Sequence, residues 1–375
     1  MSTAFRDQFI QPTVETVAPV PSSTEVPQVE RGDAGAPTPA AVPSLETTLR
    51  RSTTLSAPAR QGWQGRVNRL LRTSLGPGAL ERAERRDVGL LCSNMTRALR
   101  VMVANPKGAA GKTPTSRNLA GVIGHYRGGG VVYVDNNELR GDGGRRSEDG
   151  GCSLTVREML DDPRVDGVRR EDVDRYLRPQ SSGHHKVLAS AHGGSHSISF
   201  DEFLRVDDLL TRFYEVLVID TGNHEQAGNW LAAAKVADRL VVPTKWKETH
   251  CVAADLMLDQ LIETGHRHLV KNAIVVGTNG PGDTEKQAQV YRDHFARKVR
   301  AVVDIPTDPH IHGETVIRWG QLSPATQRAY LQLGALLFEQ QPGGGALTNP
   351  AGTGLAGSPI TSSIGPSTAA GSSTL

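Results

Sequence analysis

The chain has 375 residues, of which 37% are hydrophobic and 5% aromatic, both low for a fully folded chain of this size. Its 40 glycines and 22 prolines gather toward the two ends, which points to one substantial folded core in the middle rather than to several domains. A net charge of +2 excludes a bulk polycation that wraps nucleic acid, although not a local basic patch.

Residues 1–60 carry Pro12, Pro19, Pro21, Pro27, Pro37, Pro39, Pro43 and Pro58 among Thr, Ser, Val and Ala. Such a segment cannot offset its chain entropy by burial, so a disordered arm is expected. Its first residues lack a cationic start followed by an apolar stretch, so no secretory signal is expected. No apolar run of 18 residues occurs, so no membrane span is expected. Cys92, Cys152 and Cys251 stand far apart without CxxC spacing, which argues against a disulfide framework or cluster and suits a cytoplasmic protein.

Residues 61–95 form a basic helical segment. Trp63, Val67, Leu70 and Leu71 fall at i, i+4, i+7 and i+8, flanked by Arg66, Arg69 and Arg72, and Gly76-Pro77-Gly78 ends the helix. The stripe is expected to pack on the domain that follows. A membrane-surface or DNA-contacting segment is the alternative.

Residues 96–341 alternate short apolar runs with helix-length stretches. The runs are Leu99–Ala104, Val131–Val134, Lys186–Ser190, Tyr214–Ile219, Arg239–Pro243, Ala273–Gly277 and Ala301–Ile305. Helices fit at Thr113–Tyr126, Asp201–Arg212, Gln226–Ala237, Thr249–Thr264, Glu285–Arg297 and Pro324–Gln340. Continuous rather than alternating hydrophobicity indicates strands covered on both faces. The expected fold class is therefore α/β, a doubly wound, mostly parallel sheet in three layers. Residues 342–375 are Gly, Ser, Thr, Pro and small apolar residues without charge, and a disordered tail is expected.

After the first run comes Asn105-Pro106-Lys107-Gly108-Ala109-Ala110-Gly111-Lys112-Thr113, and then a helix beginning with Pro114 close to its start. Backbone N–H groups of such a loop, with the helix dipole behind them, make a phosphate site. Lys112 would reach the β- and γ-phosphates, and the Thr113 hydroxyl would ligate magnesium. Pro106 stands where the strict Walker pattern requires glycine. Val131–Val134 ends in Asp135, followed by Asn136 and Asn137, and Val216–Ile219 ends in Asp220, followed by Thr221, Gly222 and Asn223. A hydrophobic strand ending in Asp is weak evidence alone; in this order after the loop it reads as a magnesium-holding carboxylate.

Lys107-Gly108-Ala109-Ala110-Gly111-Lys112-Thr113 resembles the deviant Walker A signature Lys-Gly-Gly-x-Gly-Lys-Thr of the ParA/MinD ATPases. The resemblance covers roughly residues 96 to 340. It implies a P-loop NTPase that binds ATP and magnesium and forms an ATP-dependent homodimer, with Lys107 contacting the nucleotide of the partner subunit. Asp135 and Asp220 match the family's acidic positions around magnesium. Asn137 stands where the family's second switch aspartate orients the attacking water. Asn accepts from water but cannot take a proton, so slow hydrolysis is expected. The Asp-x-Asn form is similar to an actinobacterial subgroup linked to type VII secretion and conjugative elements, which often carries Pro-rich N-termini. Gly222 resembles the γ-phosphate sensor, Asn279 the adenine reader, and Pro306 a wall of the base pocket. Ala109 replaces a glycine, and Pro114 stands where the family often has a second Thr.

The resemblance implies a switch that positions, partitions or regulates a larger assembly, with nonspecific DNA, a DNA-binding partner protein or a secretion component as partner. An adaptor that holds ATP with little turnover is the alternative. Arg292, Arg297, Lys298 and Arg300 form either a DNA-facing patch or a solvated face. His184, His185, His192 and His196 are read as solvated or satisfied histidines rather than as a metal cluster.

Overall fold

The computed structural model describes residues 57–137, 141, 143–148, 150–167, 169–190, 198–278, 285–312 and 316–339. The arm up to residue 56, the tail from residue 340, and Asn279, His192 and His196 lie outside the described residues.

Eight strands form one sheet: β1 (Leu99–Val103), β2 (Val131–Asn136), β3 (Leu177–Pro179), β4 (Lys186–Leu188), β5 (Val216–Thr221), β6 (Arg239–Thr244), β7 (Ile274–Thr278) and β8 (Ala301–Ile305). Their order is β3-β4-β2-β5-β1-β6-β7-β8, with every pairing parallel except β3 with β4. The chain therefore starts in the middle of the sheet and winds outward both ways, as the α/β expectation requires. β3 has no counterpart in the sequence reading. Three residues containing Arg178 and Pro179 carry no strand signal, and proline is tolerated there because β3 is an edge.

The helices are α1 (Gly62–Leu71), α2 (Ala79–Leu91), α3 (Lys112–Arg127), α4 (Val156–Asp161), α5 (Arg170–Asp174), α6 (Phe200–Thr211), α7 (Gly228–Val236), α8 (Glu248–Glu263), α9 (Arg267–Lys271), α10 (Glu285–Ala296), α11 (Pro309–His312) and α12 (Pro324–Phe338). Two apolar layers sandwich the sheet. Leu99, Val101 and Val103 face Leu119 and Ile123 of α3, Leu91 of α2, and Leu333 and Leu337 of α12. Met102, Val132, Val134 and Ile219 face the other layer, with Phe203 of α6, Trp230 of α7 and Met257 of α8. Successive strand residues point to opposite faces, so both parities must be apolar and the runs read as continuous. Arg100 of β1 is the exception: its guanidinium lies along Asp207 of α6 at 2.7 and 2.8 Å, so a charge is paired where an apolar residue is expected.

The segment before β1 departs from expectation. It holds two helices, and α2 rather than α1 packs on the domain, through Leu91. The Trp63–Leu71 stripe faces outward: Trp63 is 65% exposed and Leu70 82%. α1 is held by polar hooks instead. Asn68 Nδ2 donates to the Ala59 and Leu75 carbonyls, and the Glu81 carboxylate accepts from the N–H groups of Arg60 and Gln61.

Arg117 on α3 and His185 just ahead of β4 are both buried. The Arg117 guanidinium lies 5.3 Å from the Tyr133 ring centroid and donates to Gln180 Oε1, with no ion pair among the described residues. Burial, outweighing the pull of Tyr133, Glu148 and Asp135, presses its pKa down to about 10. Burial, and then the Arg117 charge, hold the His185 imidazole well below its ordinary value, against a pull upward from the Gly183 backbone. Of the two readings the sequence left for His185, solvated or satisfied, burial removes the first. Among the described residues no cluster of three or more His, Cys, Asp or Glu could hold a metal ion.

Two outcomes follow from this packing. Leu91→Ala empties a fully buried site and is expected to cost about 3 kcal/mol in a denaturant titration, whereas Leu70→Ala should stay within about 0.5 kcal/mol of the parent. For His185 the unfolded chain takes up a proton that the folded chain refuses. Its stability contribution is thus complete above the unfolded pKa of about 6.5 and is lost as pH falls toward the lower folded value, at up to about 1.4 kcal/mol per pH unit. His185→Gln should flatten that acid limb when urea midpoints are compared across the range.

Candidate nucleotide-binding site

At the mouth of β1 the chain enters the loop that precedes α3. Asn105 is buried and anchors it: Nδ2 donates to the Pro243 carbonyl at 2.8 Å, while Oδ1 accepts from the Lys107 N–H at 2.9 Å. The loop then turns through two left-handed residues, Ala109 (φ 61) and Gly111 (φ 98). A side chain at Gly111 would put its Cβ 2.9 Å from the Thr278 side chain, so glycine is required there for space as well as for φ. Ala109 adopts the same region with a Cβ, at a cost of about 1–2 kcal/mol. That is the physical meaning of the substitution noticed in the sequence.

α3 starts at Lys112, whose Nζ donates to the Asn105 carbonyl at 2.8 Å and to Asn223 Oδ1 at 2.5 Å. Thr113 Oγ1 donates to Asp220 Oδ2 at 2.7 Å. The same carboxylate accepts from Tyr133 OH at 2.8 Å and Ser116 Oγ at 3.2 Å. Pro114 falls inside the first turn of α3, where its missing N–H costs nothing.

Asp135 and Asp220 stand opposite each other in the register of β2 and β5, both buried. Burial raises both pKa values; Asp135, with the Asp220 charge added, reaches about 7. Donors from Thr113, Tyr133 and Ser116 and the Lys112 charge pull Asp220 back down. Asp135 Oδ2 accepts from Ser190 Oγ at 3.2 Å, whereas its buried Oδ1 has no hydrogen-bond partner among the described residues. Two dry carboxylates and the Thr113 hydroxyl, with one carboxylate oxygen unmatched, suit a hard divalent cation of the magnesium kind.

Above this rung opens a cleft of about 380 Å³, within the range of small-ligand sites. Ala109, Ala110, Gly111, Lys112, Thr113, Pro114, Asn137 and Pro306 all line it. Lys107 and Gly108 are exposed at the lip and do not line the cleft of their own chain, and Gly222 is buried beside it without lining it.

Lys245 and Tyr330 also line it and escaped the sequence reading, while Arg146, Thr278 and His312 join them from segments whose part in the cleft the sequence left open. Arg146 arrives from the loop after β2; its Nη2 donates to the Ile311 carbonyl at 2.8 Å and its own carbonyl accepts from the Ile317 N–H, which ties that loop to the wall around Pro306. Tyr133 was also missed, because on a strand it reads as one more apolar residue. The basic set near the C-terminus is largely spent inside the fold: Arg292 pairs with Asp304, Lys298 with Asp255 and Asp259, and Arg300 with Glu339.

No protein-family model matches the sequence, and no curated protein matches it. Solved structures do share its fold. The cell division ATPase MinD of Pyrococcus furiosus superposes with a TM-score of 0.51 at 18% identity, over 64% of this chain and 98% of that one. The septum site-determining protein MinD of Pyrococcus horikoshii, complexed with Mg-ADP, gives 0.50 at 19%, over 63% and 94%. A ParA family ATPase from Chlorobium tepidum gives 0.50 at 15%, over 64% and 96%. At these identities the likeness establishes architecture: this chain shares the fold of those ParA and MinD structures.

Proposed function

We propose that the chain is an ATP-binding dimeric switch of the ParA/MinD type, which positions, partitions or regulates a larger assembly. One observation carries the reading. Lys112 and Thr113 open α3 at the mouth of the central strand, and Thr113 is bonded to a buried carboxylate one strand away.

In this reading the loop N–H groups and the α3 dipole bind the phosphates, and Lys112 exchanges its contacts with Asn105 and Asn223 for the β- and γ-phosphates. Thr113, Asp135 and Asp220 would hold magnesium, which supplies positive charge against the phosphate oxygens. Gly222 allows close backbone approach to the γ-phosphate, and Asn279 and Pro306 receive the adenine. Exposed Lys107 reaches the nucleotide of a second copy. Dimerisation then depends on γ-phosphate because contacts across the interface exist only in the triphosphate state.

Asn137 orients water without accepting its proton, so turnover is slow. The second reading, an adaptor that holds ATP without appreciable turnover, draws on the same Asn137 and on the strained Ala109. The partner is DNA, a DNA-binding protein or a secretion component, met in the cytoplasm.

Fluorescent ATP titration and light scattering test this. Lys112→Ala should weaken Mg-dependent ATP binding more than tenfold, since it removes a charge-assisted contact worth about 1.5–3 kcal/mol or more. Lys107→Ala should bind ATP yet stay monomeric. A parent chain without affinity for ATP, or a dimer indifferent to both lysines, contradicts the reading. Restoring the carboxylate in Asn137→Asp should raise phosphate release about a hundredfold; no gain would favour the adaptor.

A further inference from the structure

We propose that α1 and its flanking turns form a docking surface for an anionic lipid bilayer. The proposal stands apart from the nucleotide reading and uses none of its residues.

The starting point is an amphipathic helix mounted the wrong way round. Trp63, Val67, Leu70 and Leu71 make one stripe by helical spacing. A surface helix ordinarily turns such a stripe inward. Here the packed side is polar. Gly65 is the one buried residue of α1, so close to Arg60 that a Cβ would stand 2.4 Å from its carbonyl carbon. Asn68, next along, gathers Ala59, Thr73 and Leu75 through hydrogen bonds. Glu81 holds the N–H groups at the entry, and Arg85 reaches the Ala57 and Pro58 carbonyls. The stripe is thereby presented outward by well-formed hydrogen bonds, with Trp63 65%, Leu70 82% and Leu71 65% exposed, and Leu80 72% exposed just beyond. Isolated exposed leucines need no explanation, but a Trp and two leucines on one short helix do.

Charge decides the occupant. Arg66, Arg69 and Arg72 alternate with the stripe, and none makes an ion pair among the described residues. No acidic residue occurs between Ala57 and Leu80. The nearest, Glu81, is buried and committed to Arg60, Gln61 and Arg85. Duplex DNA would satisfy the arginines but offers nothing to Trp63 and the leucines. An anionic bilayer satisfies both sets at once: tryptophan and leucine enter the headgroup boundary while arginine stems lie along it and guanidinium groups stay with lipid phosphates. With only ten residues, the helix gives weak and reversible attachment.

The test uses the full chain with vesicles of phosphatidylcholine alone and of phosphatidylcholine mixed with phosphatidylglycerol. Sedimentation should require phosphatidylglycerol and weaken as salt rises. Tryptophan emission should shift to the blue on binding. Trp63 is the reporter, because Trp230, Trp246 and Trp319 are buried, and Trp63→Phe should abolish the shift. Removing Arg66 or Arg69 by substitution with Gln should cost about fivefold in affinity each. Leu70→Ser with Leu71→Ser should cost more than tenfold. These side chains are exposed, so denaturation midpoints should not move, and ATP titration of the same variants should match the parent whether or not ATP binds. The proposal is overturned if phosphatidylglycerol vesicles are not bound, if phosphatidylcholine vesicles are bound equally well, or if the double leucine variant binds them like the parent. Duplex DNA retained equally by parent and leucine variant, with no vesicle binding, would make nucleic acid the occupant instead.

Discussion

Two carboxylates at one rung of the sheet, Asp135 and Asp220, are buried side by side, and the site is organised around their electrostatic cost. Neither can be ionised cheaply in the dry interior, and each makes the other worse. The surrounding chain answers with donors: Thr113 and Ser116 from α3, Tyr133 from β2, Ser190 from beyond β4, and the Lys112 charge at the helix start. That demand holds the first turn of α3 against β5 and so sets where the loop before it can run. Among the described residues it also leaves Asp135 Oδ1 without a donor.

The loop before α3 holds two left-handed residues under different constraints. Ala109 lies in the left-handed region and stores a little strain, while Gly111, pressed against Thr278, has no such latitude. Pro114 sits where a helix has no use for its N–H. Asn137 lines the cleft and keeps the size of aspartate without its charge.

The segment ahead of β1 follows a different logic. α2 joins the core through Leu91, but α1 is fastened by backbone-directed hydrogen bonds to Asn68 and Glu81. Polar anchoring leaves the apolar stripe free, whereas apolar anchoring would have consumed it. Arg66, Arg69 and Arg72 beside it, without an ion pair among the described residues, contrast with Arg292, Lys298 and Arg300, whose charges are neutralised within the fold.

By itself the sequence determined the alternation of strand and helix, the covered faces of the sheet, and the loop from Lys107 to Thr113 with Asp135 and Asp220 downstream. Hydrophobic period and glycine spacing are local properties, and both survive in one dimension. β3 was illegible because an edge strand of three residues needs no apolar run. Tyr133 and Lys245 were illegible because their importance comes from strand register and loop return, which bring residues far apart in the chain to one site. The direction of the Trp63–Leu71 stripe was the sharpest case. Spacing defines an apolar face, but which way that face turns was decided by the tertiary hydrogen bonds of Asn68 and Glu81, which hold the helix by its other side.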